Sequence, residues 1–137
     1  RNPHATRPWQ HVLEPLSGYL NLAYELNQSN KFNGEAFNFG PQENSNYSVS
    51  KLLEVMRTYW QKDVNFRVIE QESSFKEAGL LKLNCDKSSA LLKWTPRLNF
   101  DECVKMTVEW YEKFYRNKDE ILEFTEFQIE TYQNKTL

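Results

Sequence analysis

The stretch RPWQHVLEPLSGYL, residues 7–20, joins an extended segment directly to the start of an apolar helix pattern. Residues 9–13 are predicted as the short extended segment. Pro15 suits the first turn of a helix, and apolar residues recur at helical spacing from there through Leu26. A strand-like piece followed at once by a helix is the first unit of the alternation that is typical of the α/β class.

The rest of the chain continues this alternation, with Gly, Pro and polar residues between the units. Strands are predicted for EAFNFG at 35–40 and NFRVIEQ at 65–71, with a short extended piece, LLKLNC, at 80–85. Helices are predicted over 48–61, over 86–94 with Asp86 as N-cap, over 99–116 and over 119–132. This order predicts an α/β fold, and the length predicts one domain spanning residues 1–137.

The composition excludes several classes of protein. Lys and Arg number 17 against 19 for Asp and Glu, a net charge of −2, so no chain-wide positive field exists to attract nucleic acid or an anionic membrane. A mean hydropathy of −0.76 and the lack of a long apolar run indicate no membrane span. An anionic ligand would therefore have to be held by a local group of donors.

The cysteines and the first residues bear on where the protein resides. Cys85 and Cys103 lack the spacing of metal ligands, and RNPHATRPW at 1–9 lacks the charged-then-apolar order of a signal peptide. We therefore expect reduced thiols and a cytoplasmic protein. Because the chain does not begin with Met, and Pro3 and Pro8 oppose an opening helix, we expect it to be the interior of a longer polypeptide.

The stretch YSVSK, residues 47–51, has the Tyr-x-x-x-Lys spacing of short-chain dehydrogenases. On a helix, that spacing would let Lys51 lower the pKa of the Tyr47 phenol. However, Ser48 is a good N-cap for the apolar face that follows, which leaves Tyr47 outside the helix and Lys51 in its first turn, facing water. A structural role is the favoured interpretation, and neither residue is assigned to catalysis.

Metal and dinucleotide sites are both disfavoured by residue counts. His4 and His11 are the only histidines, and no carboxylate pattern completes a ligand set around them. Hydrogen bonding or packing is the favoured role for their rings. The chain has four glycines and no Gly-x-Gly-x-x-Gly, so no dinucleotide-binding turn is present.

Arg7 is the best candidate for a binding residue. Its guanidinium offers a planar fork of donors that matches phosphate oxygens, and Trp9 could form a wall beside it. The alternative is a surface salt bridge, which residue chemistry alone favours. A family resemblance reverses that order.

Four stretches, RNPHATRPWQHVLEPLSGYL, FNFGP, KEAGLLKLNCDKSSALLKWTPRLNFDE and TVEWYEKF, resemble the C-terminal part of the CDP-glucose 4,6-dehydratases, which are extended short-chain dehydrogenases/reductases. The stretch RPWQHVLEPLSGYL is the most specific, because other sugar-nucleotide dehydratases and epimerases tend to carry Arg-Asp-aromatic there. The chain departs from the family at Lys93, where Gly is usual. It also departs at Phe75 and Lys76, which replace Pro-His before Glu77.

The resemblance implies the C-terminal substrate-binding part of a Rossmann-type fold. In the family, the NAD-binding glycines and the catalytic Thr, Asp or Glu, Tyr and Lys lie upstream, so no catalytic or cofactor-binding residue is expected here. YSVSK falls downstream of the family's catalytic Tyr and Lys. The implied substrate contacts are Arg7 on the pyrophosphate, Asn38 near it, and Lys76 and Glu77 near the nucleotide.

The resemblance also implies a reaction and partners for the whole enzyme. CDP-glucose would be converted with NAD to CDP-4-keto-6-deoxyglucose, a precursor of bacterial O-antigen and lipopolysaccharide deoxysugars, by a cytoplasmic homodimer. The segment alone would be inactive, and it would self-associate through residues 35–40 or be marginally stable. Three alternatives stay open: a free-standing nucleotide-sugar binding module, a fragment of another NAD-dependent sugar epimerase or dehydratase, and a structural domain that has lost ligand binding.

Overall fold

The chain forms five helices and one small sheet within the residues that the computed structural model describes, which are 2–43, 45–60, 64–67 and 79–135. This is a mixed helix-and-sheet structure, and no helix in these ranges is both long and apolar enough to cross a membrane. The strands are β1 (Thr6–Arg7) and β2 (Tyr47–Ser48). The helices are α1 (Leu13–Gln28), α2 (Val49–Tyr59), α3 (Asp86–Leu92), α4 (Phe100–Arg116) and α5 (Ile121–Gln133), with 3-10 turns at Asn30–Phe32 and Lys118–Glu120.

The sheet ties the start of the chain to its middle. β1 and β2 run antiparallel, with Thr6 opposite Ser48 and Arg7 opposite Tyr47. Thr6 also forms a parallel bridge with Leu80. These pairings bring together three segments that are distant in sequence.

The helix predictions are largely confirmed. α4 begins with a capping box, in which Asn99 accepts from the backbone N–H of Glu102 and the Glu102 side chain accepts from that of Asn99. The predicted cap at Asp86 is wrong by one position, because Asp86 is the first helical residue and follows Cys85. The side-chain oxygen of Asn84 accepts from the Asp86 N–H at 3.1 Å, and this hydrogen bond forms the turn that leads into α3.

The predicted strand at 35–40 is wrong, since these residues have no regular secondary structure and pair with no strand in the described part of the chain. Side chains occupy their carbonyls instead: Lys87 donates to Ala36, and Ser88 donates to Asn38 at 2.7 Å. Gln10 donates similarly to the Phe39 carbonyl at 3.0 Å. A strand ladder needs those carbonyls, so these side-chain contacts from distant parts of the sequence replace it.

The other predicted extended pieces are displaced or only partly tested. The piece predicted at 9–13 lies earlier, at β1, because Leu13 already begins α1. Residues 64–67 have no regular structure, and the rest of the strand predicted at 65–71 lies outside the described residues. Within 80–85, Leu80 alone forms a bridge, so that prediction holds at its first residue only.

The core of the described residues consists of three apolar clusters, each joining helices to irregular segments. The first lies between α1, the 3-10 turn and α3, the second between α2 and α4, and the third between α4 and α5. Their buried members are, in that order, Phe32, Phe39, Leu92 and Trp94; Val55, Phe100, Val104 and Val108; and Leu98, Cys103 and Tyr132.

Glu14 is fully buried in the first turn of α1, yet its carboxylate is well satisfied. Its Oε1 accepts from the backbone N–H groups of Arg97 and Leu98, at 2.9 and 2.6 Å. Its Oε2 accepts from the hydroxyl of Tyr132 at 2.8 Å, which also lies 2.9 Å from the hydroxyl of Ser17. The Glu14 carboxylate therefore joins three parts of the chain through buried hydrogen bonds. These parts are α1 itself, the segment that precedes α4, and helix α5.

Lys93 ends α3 in the left-handed conformation, with φ 54° and ψ 25°. This conformation favours Gly, because a Cβ there crowds the following carbonyl oxygen. It is also the position at which the resemblance places a Gly. The departure from the family pattern therefore falls on strained backbone.

Candidate functional site

Arg7 sits on the sheet at a well-braced point. Tyr47 lies opposite it, and the Tyr47 ring stacks on Phe100 with centroids 3.9 Å apart. The Trp9 indole donates to the Tyr47 carbonyl at 2.9 Å, which fixes this side of the sheet. The Arg7 Nη1 donates to the Thr6 carbonyl at 2.8 Å. The half-buried guanidinium is therefore held by a rigid backbone.

The segment that follows Lys76 and Glu77 returns to β1. The Thr6 N–H and hydroxyl both donate to the Gly79 carbonyl, at 2.8 and 3.3 Å. Lys76 and Glu77 themselves, and Phe75, lie outside the described residues. The structure thus anchors the end of this segment next to Arg7.

Asn38 has a different set of partners from Arg7. Its side-chain Nδ2 donates to the Asn84 carbonyl at 3.1 Å, and its own carbonyl accepts from Ser88. These bonds tie Asn38 to the start of α3, whereas Arg7 belongs to the sheet. The assignment of Asn38 to the substrate stays a prediction.

A cleft of about 740 Å³ lies beside the sheet. Pro8, which follows Arg7, forms part of its wall, and the rest comes from residues 41–43, 45–46, 81–86, 89 and 94–97. The volume falls in the range of small-molecule and cofactor sites. No pattern in the sequence indicates this cleft, because three separate irregular segments form most of it.

The lining of the cleft mixes apolar side chains with a few polar and charged groups. The side-chain oxygen of Asn46 is buried and has no hydrogen-bond partner in the described residues. Such an acceptor would be satisfied by a ligand donor or by water. Lys82 contributes a cation, while burial raises the pKa of the Cys85 thiol and keeps it protonated.

The structure confirms that Ser48 in the stretch YSVSK, residues 47–51, caps a helix, as the structural interpretation predicts. Ser48 caps α2, with its hydroxyl accepting from the Lys51 N–H at 3.1 Å. Lys51 is exposed and pairs with Glu54 at 3.2 Å, while the Tyr47 ring packs on Phe100. Tyr and Lys are therefore each engaged elsewhere, and the motif does not form a phenol–ammonium pair.

The histidines also have structural surroundings. His11 is buried, its Nδ1 accepts from the Leu13 N–H at 3.3 Å, and burial lowers its pKa, which favours the neutral ring. His4 is exposed, and its backbone N–H donates to Asn2. Across the described ranges, no group of three or more His, Cys, Asp or Glu side chains could hold a metal ion.

The chain is similar to a curated enzyme, although no family model matches it. It is 35% identical over 136 residues to the CDP-glucose 4,6-dehydratase of Salmonella typhimurium, a match that covers 99% of this chain and 37% of that protein. The chain thus spans little more than a third of the length of this relative. It is similar to a CDP-glucose 4,6-dehydratase along almost its entire length, which confirms the resemblance found in the sequence.

Proposed function

We propose that this chain is the C-terminal, nucleotide-sugar-binding part of a CDP-glucose 4,6-dehydratase with a Rossmann-type fold. The observation that carries the proposal is the 35% identity along 99% of the chain. The whole enzyme would convert CDP-glucose to CDP-4-keto-6-deoxyglucose with NAD. The chain would act as one domain of that enzyme and would be inactive alone.

The residues present do not fit NAD. The four glycines, Gly18, Gly34, Gly40 and Gly79, are too far apart in sequence for a dinucleotide turn. Gly18 lies inside α1, where a Cβ would meet the Phe39 ring at 2.3 Å, so packing already accounts for it. NAD would be bound by a part of the enzyme outside this chain, and the task of this chain would be to hold the sugar nucleotide.

Arg7 would bind the substrate pyrophosphate. The net charge of −2 means that a doubly anionic ligand needs a local cation, and a guanidinium presents its donors in a plane that matches phosphate oxygens. Arg7 is paired with Tyr47 across the sheet and directly precedes Pro8, which lines the 740 Å³ cleft. A cation beside a cleft that combines apolar walls with a few polar groups is a suitable arrangement for an anionic sugar nucleotide.

The other predicted contacts take different roles in this proposal. Lys76 and Glu77 would reach the nucleotide from the segment that Gly79 anchors to Thr6. Asn38 would act indirectly, since its side chain holds the carbonyl of Asn84, which lines the cleft.

The wider setting of the proposal follows from the resemblance. The enzyme would be a cytoplasmic homodimer that supplies deoxysugars for bacterial O-antigen and lipopolysaccharide. Its partners would be a CDP-sugar and the NAD-binding part of the same enzyme.

The alternative is a free-standing binding module, in which the cleft of this chain would hold the sugar nucleotide without another domain. Equilibrium binding of CDP to the 137-residue chain without NAD separates the two: measurable affinity favours the module, and its absence favours the fragment.

The test of the proposal is calorimetric titration of the natural gene product with CDP-glucose. Loss of a charge-assisted contact to phosphate costs about 1.5–3 kcal/mol, so Arg7→Ala should raise the dissociation constant about ten- to a hundredfold. Arg57→Ala is the matched control, because Arg57 is exposed in the last turn of α2, away from the cleft. An unchanged affinity in Arg7→Ala would remove Arg7 from the site.

A further inference from the structure

Asn46 contributes an unsatisfied polar group to the wall of the cleft. It is one of the lining residues, and its side-chain Oδ1 is buried with no hydrogen-bond partner in the described part of the chain. Leaving a buried acceptor unpaired costs free energy, so a native protein seldom keeps one unless a ligand or a water completes it. Because Asn46 lines the cleft, the cleft is the space from which a ligand donor reaches this oxygen.

The backbone on both sides of Asn46 is held in place. Ser45 donates its N–H to the Gln42 carbonyl at 2.8 Å, which closes the turn that precedes Asn46. The following residue, Tyr47, is paired with Arg7 across the sheet. An acceptor attached to a fixed backbone is preorganised for one donor position, so it distinguishes ligands by where their donors lie.

The sheet also relates Asn46 to the proposed phosphate-binding residue. Arg7 lies opposite Tyr47, and Asn46 is the neighbour of Tyr47 in the chain. Paired residues of antiparallel strands have Cα atoms about 4.5–5.5 Å apart, and the next residue along the chain lies about 3.8 Å away. A nucleotide that holds its phosphates at Arg7 is therefore long enough to place its base against Asn46.

The chemistry of the pyrimidine ring determines which base suits this acceptor. At ring position 4, cytosine carries an amino group, which donates, whereas uracil carries a carbonyl oxygen, which accepts. An amide oxygen in the cleft therefore pairs with the amino group of cytosine but faces a second acceptor in uracil. A site built to hydrogen-bond one group rejects the analogue that lacks it, because the buried partner is then left unpaired.

We propose that Asn46 selects cytidine over uridine nucleotides, by accepting a hydrogen bond from the cytosine amino group through its Oδ1. This rests on the proposed function, in which the chain holds a CDP-sugar beside Arg7. CDP-glucose and UDP-glucose differ only in the base, so an enzyme that takes the first must contain a group that reads the edge of the base. The unpaired oxygen of Asn46 supplies such a group.

Calorimetric titration of the natural gene product with CDP and with UDP tests the selection. We expect CDP to bind about five- to a hundredfold more tightly than UDP, because UDP leaves the buried oxygen unpaired. A third ligand, the diphosphate of 2-pyrimidinone riboside, has only a hydrogen at ring position 4 and should lose affinity in the same range. Equal affinity for CDP and for this analogue would overturn the proposal without any substitution in the protein.

Substitutions at Asn46 make the test specific to its oxygen. Asn46→Leu removes the acceptor and should bring the affinities for CDP and UDP close together, chiefly by weakening CDP. Asn46→Asp keeps an acceptor there and should retain the preference for CDP, although its added negative charge weakens the binding of both nucleotides. Asn27→Leu is the matched control, because Asn27 is exposed in α1 away from the cleft, and it should leave both affinities unchanged.

The remaining outcomes separate the selection from the proposed function. An Asn46→Leu variant that keeps the wild-type ratio of the two affinities would contradict the proposal. Equal weakening of CDP and UDP would also contradict it, since it would assign Asn46 to the ribose or the phosphates, which both nucleotides share. Tight but equal binding of CDP and UDP by the wild type would refute the base selection alone, whereas no affinity for either nucleotide would refute the proposed function as well.

Discussion

Helices α1 and α4 have nearly the same length, 16 and 17 residues, but they bury their surfaces differently. α4 begins with a capping box, buries Val104 and Val108 on one side and carries charged residues on the other, including a Lys105–Glu109 pair. α1 has no side-chain cap, buries a carboxylate and exposes leucines and tyrosines.

The difference lies in how much of each helix the described chain covers. The neighbours of α4, helices α2 and α5, belong to the described chain, and its exposed side carries charged residues together with Tyr111 and Tyr115. α1 finds its neighbours on its buried side, where α3, the 3-10 turn and the end of α5 contact it. The pattern of polarity on a helix thus follows which of its sides the described chain covers.

The largest expected effect concerns the inner side of α1. Glu14→Ala would leave two backbone N–H groups and the Tyr132 hydroxyl without their buried acceptor, at a cost of about 3 kcal/mol or more in unfolding free energy. Glu109→Ala on the outer face of α4 is the control, with an expected change below about 0.5 kcal/mol. Urea denaturation of the natural protein measures both, and equal effects would break the distinction between the helices.

A second substitution tests how tightly that inner face packs. Gly18→Ala improves helix propensity, but its Cβ would lie within 2.7 Å of three atoms of the buried Phe39 ring. Because that ring also packs on Trp94, we expect a net loss of about 1–3 kcal/mol. Gly79→Ala meets nothing within 4 Å and should be nearly neutral. A stabilised Gly18→Ala variant, by thermal unfolding, would show that the interface is loose.

A substitution at Lys93, which lies between α3 and Trp94, should stabilise the folded chain. Lys93→Gly removes the Cβ from a residue with φ 54°, which should raise the unfolding free energy by about 1 kcal/mol. Lys93→Ala removes the charge but keeps the Cβ, so it should bring no such gain. Equal stabilities of the two variants would mean that the backbone at this junction is not strained.

The last expected effect, which is absent at neutral pH, is a pH dependence from the buried side of α4. Burial raises the pKa of the Cys103 thiol from 9.0 to about 11. Between these values the folded chain keeps a proton that the unfolded chain loses, so unfolding free energy should fall as pH rises from 9 to 11. Cys103→Ala should remove this part of the slope. A wild-type slope that persists unchanged in the variant would assign the effect to another group.

Much of the helical structure could be predicted from sequence, because its signals are local. Ser48 and Asn99 mark two helix starts by their side-chain chemistry, and apolar periodicity marks the helix bodies. The strand predicted at 35–40 is absent because the outcome depends on side chains far along the chain. Lys87 and Ser88 hold carbonyls of that segment from about 50 residues away, and no local pattern reveals this.

The candidate site was predictable only in part, for the same reason. Arg7 is identifiable from its chemistry and from the resemblance, and it lies on the sheet beside the cleft. The cleft itself, with Asn46 and Lys82, is formed by separate segments that only the fold brings together. Lys93 departs from the family pattern, and its left-handed backbone supplies the physical reason why Gly is usual there.

The measurement that tests the central claim most directly is incubation of CDP-glucose and NAD with two samples, the natural gene product and the 137-residue chain alone. Mass spectrometry then detects a CDP-sugar that has lost one water. We expect this product with the natural gene product and none with the 137-residue chain. Product formed by the 137-residue chain, or CDP-glucose left unchanged by the natural gene product, would contradict the assignment of this chain as the substrate-binding part of a dehydratase.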